Sequence, residues 1–193
     1  MKSKYLLMLG LLICGSTTAM ADSSFKKSKN STCPDIVTAN ADAFFGVGSA
    51  DKTLCISVRD DLKIVVAVNN NDINPRNGRA QQVLNINNIV NDYVSNYEMK
   101  SGENFQAIVI GYGAGARWLL NDASYSSNFG TGNPSDDMVT SLIAKGVKFY
   151  MCQNTMRGNG WVSSDLLPGV EMIPAGVTAV IDFQERKYTY IVP

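Results

Sequence analysis

The chain has 193 residues, with 17 Lys and Arg against 17 Asp and Glu, and no histidine. That length suits one ordinary domain, and the balanced charge offers nucleic acid no basic face. Without histidine there is no Ser-His or Cys-His pair, no imidazole base and no imidazole-held metal; any catalysis falls to cysteine, carboxylate, arginine, tyrosine or backbone groups.

The chain opens with Lys2 and Lys4, the apolar run Leu6 to Ile13, and Ala19-Met20-Ala21. This three-part pattern predicts a secretory signal peptide over residues 1–21, cleaved after Ala21. The run is too short to span a bilayer as a stable helix. The expected location is therefore a bacterial periplasm, with no membrane insertion after cleavage. The 17 basic residues less Lys2 and Lys4 leave 15 against 17 acidic ones, a mature net charge of −2. Residues 22–60 read as a flexible arm followed by a short appendage. Export places Cys33 and Cys55 in an oxidising compartment, where neighbouring cysteines pair. A Cys33–Cys55 disulfide is expected, contributing roughly 3 kcal/mol in the chain-entropy model.

Residues 61–193 carry the repeating core. Leu62 to Val68 is β-branched and nearly unbroken, as in a strand covered on both faces. After a polar loop, Asn69 to Asn77, the residues Val83, Ile86, Val90, Tyr93 and Tyr97 fall on one helical face. Phe105 to Ile110 reads as the second strand. Gly111 to Gly115 turns into a short helix through Arg117, Trp118, Leu119 and Leu120. A further helix is expected with Asn133 as its cap, Pro134 in its first turn, Asp136 and Asp137 at its positive end and Gly146 as its stop. Val147 to Cys152 forms the third strand, and Gln153 to Gly158 a loop. Val170 to Ile173 is a short fourth strand, Pro174 opens a helix through Val177, Val180 and Ile181, and Tyr188 to Val192 closes the chain as a strand.

Strands alternating with helices imply βαβ units and a parallel sheet in one α/β/α domain. Right-handed crossovers place every strand-to-helix loop on one edge. Asn69 to Asn77, Gly111 to Gly115, Cys152 to Arg157 and Pro174 to Gly176 converge there, where open α/β sheets bind ligands.

Each motif has a plain structural reading beside its functional one. Gly111-x-Gly113-x-x-Ala116 matches a dinucleotide fingerprint only formally, because no acidic residue ends the next strand. The turn is better read as tight packing, or as a backbone cradle for a small anion made by Gly111, Tyr112, Gly113 and Gly115 beside Asn69. Asn69-Asn70-Asn71-Asp72 lacks the glycine and glutamate of a calcium loop and reads as a polar turn. No cofactor and no metal are expected. Trp161, Phe129 and Phe44-Phe45 stand in loop-like contexts, and their exposure on a lone small domain favours burial between subunits.

Cys152 is the odd cysteine left after pairing, at a strand end. An odd cysteine in a secreted protein is either partnered in trans or reactive. Arg157 can lower its pKa by charge and Asn154 can donate a hydrogen bond, making these three the candidate catalytic group. The alternative is an inert, packed thiol.

From Leu62 onward the chain resembles the DsrE/DsrF-like family of sulfur-relay proteins. The residues that carry the likeness are Val65-Val66-Ala67-Val68-Asn69, Ile108-Val109-Ile110-Gly111-Tyr112-Gly113, Gly146 to Thr155, Asp165 to Val170, Ile173-Pro174-Ala175-Gly176-Val177 and Tyr190-Ile191-Val192-Pro193. The resemblance implies a three-layer α/β/α domain with a five-stranded parallel sheet, assembled as a trimer or hexamer. It also implies sulfur carried as a persulfide on Cys152, exchanged with a donor or acceptor protein. Tyr112 stands where many relatives have histidine. Two functions remain open: a sulfurtransferase-like carrier working through Cys152, and a non-catalytic homo-oligomeric module holding a small anion at the sheet edge.

Overall fold

The structure is a computed structural model that describes residues 61–193. The leader, Cys33, Cys55 and Phe44-Phe45 lie outside the described residues. In chain order the elements are β1 (Leu62–Val68), α1 (Gln81–Asn91, continued by a π turn at Asp92–Asn96), β2 (Phe105–Gly111), a 3-10 segment (Gly113–Leu119), α2 (Asp122–Phe129) and α3 (Asp136–Ala144). Then follow β3 (Lys148–Cys152), α4 (Gln153–Asn159), a 3-10 turn (Ser163–Asp165), β4 (Val170–Ile173), α5 (Gly176–Glu185) and β5 (Thr189–Ile191).

The five strands form one sheet in the order β4-β3-β2-β1-β5, and every pairing is parallel. This is the α/β architecture expected from the alternation of elements. The side-chain period of two splits the strands between two cores. Ile64, Val66, Val68, Phe105, Ala107, Val109, Phe149 and Met151 face the larger one, under Val83, Ile86 and Val90 of α1 and Val139 and Leu142 of α3. Val65, Ile108 and Ile110 face the smaller one, under Ala179 and Val180 of α5. Val177 and Ile181 of that helix point outward, at 59% and 56% exposure.

The register sets up the functional edge. Val68 pairs with Gly111, Gly111 with Met151, and Cys152 with Ile173. The four strands therefore end almost level, and the residues that follow them meet. Among the described residues no helix is long and apolar enough to cross a membrane.

Three local expectations need correction. Asn133 does not cap α3. Its amide donates to the carbonyls of Leu120 (2.7 Å) and Trp118 (3.1 Å), and its Oδ1 accepts from Ser135 N–H (3.0 Å). It ties the 3-10 segment to the entry of α3, while Ser135 takes the cap position and its Oγ accepts from Ala80 N–H. The segment before it, read as loop, contains α2, whose N-cap Asn121 accepts from Ser124 N–H and whose end is Gly130 in the left-handed region. Trp161 is no exposed loop aromatic. It is 9% exposed, belongs to the larger core and donates Nε1–H to Asn128 Oδ1 at 3.2 Å.

Arg79 and Asp137 lock the entry of α1 to the start of α3 through a bidentate pair at 2.8 and 2.7 Å. Hydrogen bonds from Arg79 hold the Asp137 carboxyl below the usual carboxylate range. A depressed folded pKa means stabilisation present above the unfolded value of about 3.9 and lost as pH falls through the folded one. The pair is well exposed on the Asp137 side, so Asp137→Asn is expected to cost less than about 1 kcal/mol at neutral pH. The difference in melting temperature from wild type should vanish in strong acid; a constant difference at all pH values would assign the loss to something other than the ion pair.

Candidate functional site

Cys152 ends β3 and sits at the N-cap position of α4. The segment after it, expected as a loop, is helical from Gln153 to Asn159. The thiol is 4% exposed. Its sulfur accepts a hydrogen bond from Gly176 N–H at 3.2 Å, across the β3–β4 junction. The N–H groups of Thr155 and Asn154 and the Thr155 hydroxyl also bear on it. Backbone donors two and three residues into a helix commonly serve the side chain at the N-cap. Burial pushes the thiol up, and these donors together outweigh it, so the net shift is downward from the ordinary thiol value. Hydrogen bonds to the charged form do this because the thiolate accepts them more strongly than the thiol does.

The residues singled out from the sequence divide around this sulfur. Asn154 contributes its backbone N–H, while its side-chain Oδ1 accepts from Arg157 Nη1 at 3.1 Å. Arg157 is exposed and is not among the groups that shift the thiol. The acidifying role expected of its charge is taken instead by neutral donors. From the sequence, Thr155 and Gly176 stand only as members of longer motifs, with no role at the thiol assigned to either. Thr155 had one available signal, its place three residues after a strand-end cysteine that opens a helix.

The glycine turn after β2 is committed to packing. A Cβ on Gly115 would stand 2.6 Å from Asn69 N and from the Val68 carbonyl carbon, and one on Gly111 would stand 2.6 Å from Leu119 Cδ1. Gly113 has φ +56°, and its N–H donates to Thr155 Oγ1 at 3.1 Å. Asn69 gives Nδ2–H to the Tyr112 hydroxyl at 3.3 Å, and its backbone N–H and Oδ1 are held by Gln82. Of the donors expected to cradle an anion, the N–H groups of Tyr112, Gly113 and Asn69 and the Asn69 side-chain amide are thus bonded within the protein. Among the described residues no three His, Cys, Asp or Glu side chains gather as a metal site.

The resulting chemistry is that of one thiol with a lowered pKa, backed by neutral donors, at the carboxyl edge of a parallel sheet. Thiolate character, not the thiol itself, makes such a group a nucleophile.

A family model described as the DsrE/DsrF-like family matches residues 63–193. Among solved structures, a protein of unknown function from Methanobacterium thermoautotrophicum, MTH1491, is similar at 25% identity and a TM-score of 0.54, over 69% of this chain and 100% of that one. The ychN protein from E. coli is similar at 18% identity and a TM-score of 0.42, over 68% of this chain and 97% of that one. No curated protein matches the sequence.

Proposed function

The chain belongs to the DsrE/DsrF-like family, related to sulfur relay proteins, and on that footing we propose that it handles sulfane sulfur on Cys152, accepting it as a persulfide and passing it on. The observation that carries the reading is the thiol itself: a buried cysteine at the sheet edge whose convergent donors outweigh the effect of burial on its pKa. The lack of histidine is no obstacle. The Cys152 thiolate attacks one sulfur of an inorganic polysulfide, a new S–S bond forms to Sγ, the adjacent S–S bond of the polysulfide breaks, and the shortened polysulfide leaves with the electron pair. The cysteine sulfur is oxidised and the leaving sulfur reduced, and no general base is needed once the thiol is ionised. A small linear donor suits a residue that is 4% exposed.

The rest of the proposal follows the sequence. The leader sends the protein to the periplasm, with cleavage after Ala21, and Cys33–Cys55 closes as a disulfide in the segment before the domain. The domain assembles as a trimer or hexamer, which would cover the exposed Val177 and Ile181 of α5. A periplasmic protein donates or accepts the sulfur.

Intact mass measurement after exposure to polysulfide tests the central claim. The wild type is expected to gain the mass of one sulfur, removable by a reductant, and Cys152→Ser is expected to gain none. A wild type that stays unmodified, or a Cys152→Ser variant loaded to the same extent, would overturn it.

A further inference from the structure

We propose that Tyr112 is a positioning residue for Cys152: its ring, seated against Gly176, holds the Gly176 N–H on the sulfur. The inference rests on the persulfide reading for the purpose of the device, and on geometry alone for its existence.

Gly176 is the donor with full hydrogen-bond geometry to Sγ, at 3.2 Å. What fixes Gly176 is the tyrosine. A Cβ added to Gly176 would lie 2.8 Å from Tyr112 Cβ and 2.9 Å from its Cγ and Cδ1. The base of the ring therefore occupies the place of a side chain on Gly176 and bears directly on its backbone. The tyrosine is itself held at both ends. Its backbone N–H donates to Val68 O at 3.0 Å, and its hydroxyl accepts from Asn69 Nδ2 at 3.3 Å.

Asn69 is anchored in turn by Gln82, a side chain only 2% exposed. The Gln82 Oε1 accepts from Asn69 N–H at 2.9 Å and Asn70 N–H at 3.1 Å, while its Nε2 donates to Ala67 O and Asn69 Oδ1. A buried amide with this many partners is rigid, because losing any one of them leaves a desolvated polar group unpaired. That rigidity passes through Asn69 to the hydroxyl and through the ring to Gly176.

The adjacent residue reaches the thiol from the other flank. Gly113 N–H donates to Thr155 Oγ1, which occupies a lone pair of that oxygen and leaves its proton free to turn toward the sulfur. Neither Tyr112 nor Gly113 donates to Cys152, yet together they set two of its donors. Besides Cys152 itself, the ionisable groups on the converging loops are Asp72, Arg76, Tyr112 and Arg157, and Tyr190 of β5 bears on Tyr112. Tyr190 is pushed up by its own burial and then by Tyr112, and Arg157 is turned to Asn154. None of these groups is among those that act on the thiol.

The test is the pH–rate profile of Cys152 alkylation by iodoacetamide in the full chain, read at the Cys152 peptide by mass spectrometry, with circular dichroism as the check on folding. Tyr112→Ala frees Gly176 and is expected to raise the midpoint by about one pH unit, the scale of one hydrogen bond to a charged group. Tyr112→Phe keeps the ring in place and should move it by less than half as much. An unmoved midpoint in Tyr112→Ala overturns the proposal, and so does an equal shift in both variants, which would assign the effect to the hydroxyl. Should Tyr112→Ala not fold, Tyr112→Leu carries the same comparison, since a branched chain cannot lie flat on Gly176. Sulfur uptake from polysulfide is measured on the same samples. A shifted midpoint without uptake even in the wild type sinks the persulfide reading and leaves the positioning role standing. Uptake with an unmoved midpoint does the reverse.

Discussion

Trp118→Ala is expected to lower the unfolding free energy by about 4 kcal/mol, within the range for truncating a buried tryptophan. Trp118 is 1% exposed and lies in the larger core, on the 3-10 segment between β2 and α2. Its ring stacks on Tyr125, with centroids 5.7 Å apart and planes 24° from parallel. Its Nε1–H donates to the Asn70 carbonyl at 3.1 Å, pinning the loop after β1. The Arg117 guanidinium sits 5.4 Å from the Trp118 and Tyr125 centroids and 3.5 Å from that of Phe129. Alanine removes the packing, the indole donor and one wall of the cation's surroundings together. Chemical denaturation with an unchanged slope gives the measurement. A loss below about 2 kcal/mol would mean that the 3-10 segment collapses into the space and that the packing there is less constrained than its burial implies.

Gly115→Ala is expected to cost about 3 kcal/mol, the upper part of the usual range for overpacking. The new methyl would run into the Val68–Asn69 peptide: Asn69 N and Val68 C at 2.6 Å, Val68 O at 2.7 Å. Backbone of a central strand cannot step aside as the end of a side chain can, so the 3-10 segment and β1 must separate. The consequence extends to the site, because Asn69 carries the bond to the Tyr112 hydroxyl. Slower alkylation of Cys152 should accompany the lost stability. Gly158→Ala is the matched control. It lies inside α4 with nothing within 4 Å of its Cβ position, and alanine favours a helix interior over glycine. Denaturation curves for the two variants should shift in opposite directions or differ by most of the predicted cost. Equal curves would show that β1 and the turn part more easily than their spacing indicates.

The two variants also mark what a sequence can and cannot express. Leu62 to Val68 matches its observed strand end for end, because an unbroken β-branched run has few other stable uses. The third strand and the thiol at its end were equally legible. The eight residues of α2, Asp122–Phe129, were not. They carry serines and an asparagine and no apolar stripe, so the helix rests on its caps and on the packing of Tyr125 rather than on its pattern. Val177 and Ile181 sit at helical spacing but face outward, because α5 meets the sheet through Ala179 and Val180.

The sequence by itself determined the order of the strands along the chain, the parallel α/β class, the exclusion of histidine chemistry and the place of Cys152 at a strand end. Only the tertiary structure decided which groups act on that thiol. The charged residue nearby, Arg157, is the kind of feature a sequence displays, and it is spent on Asn154. The donors that matter include backbone N–H groups, which every residue except proline carries and which therefore leave no mark in the amino-acid order. Gly176 reaches Sγ from 24 positions away and Gly113 reaches Thr155 from 42. What selects these two from all the others is the parallel register, which brings the ends of β2, β3 and β4 level and lets their loops meet over one sulfur.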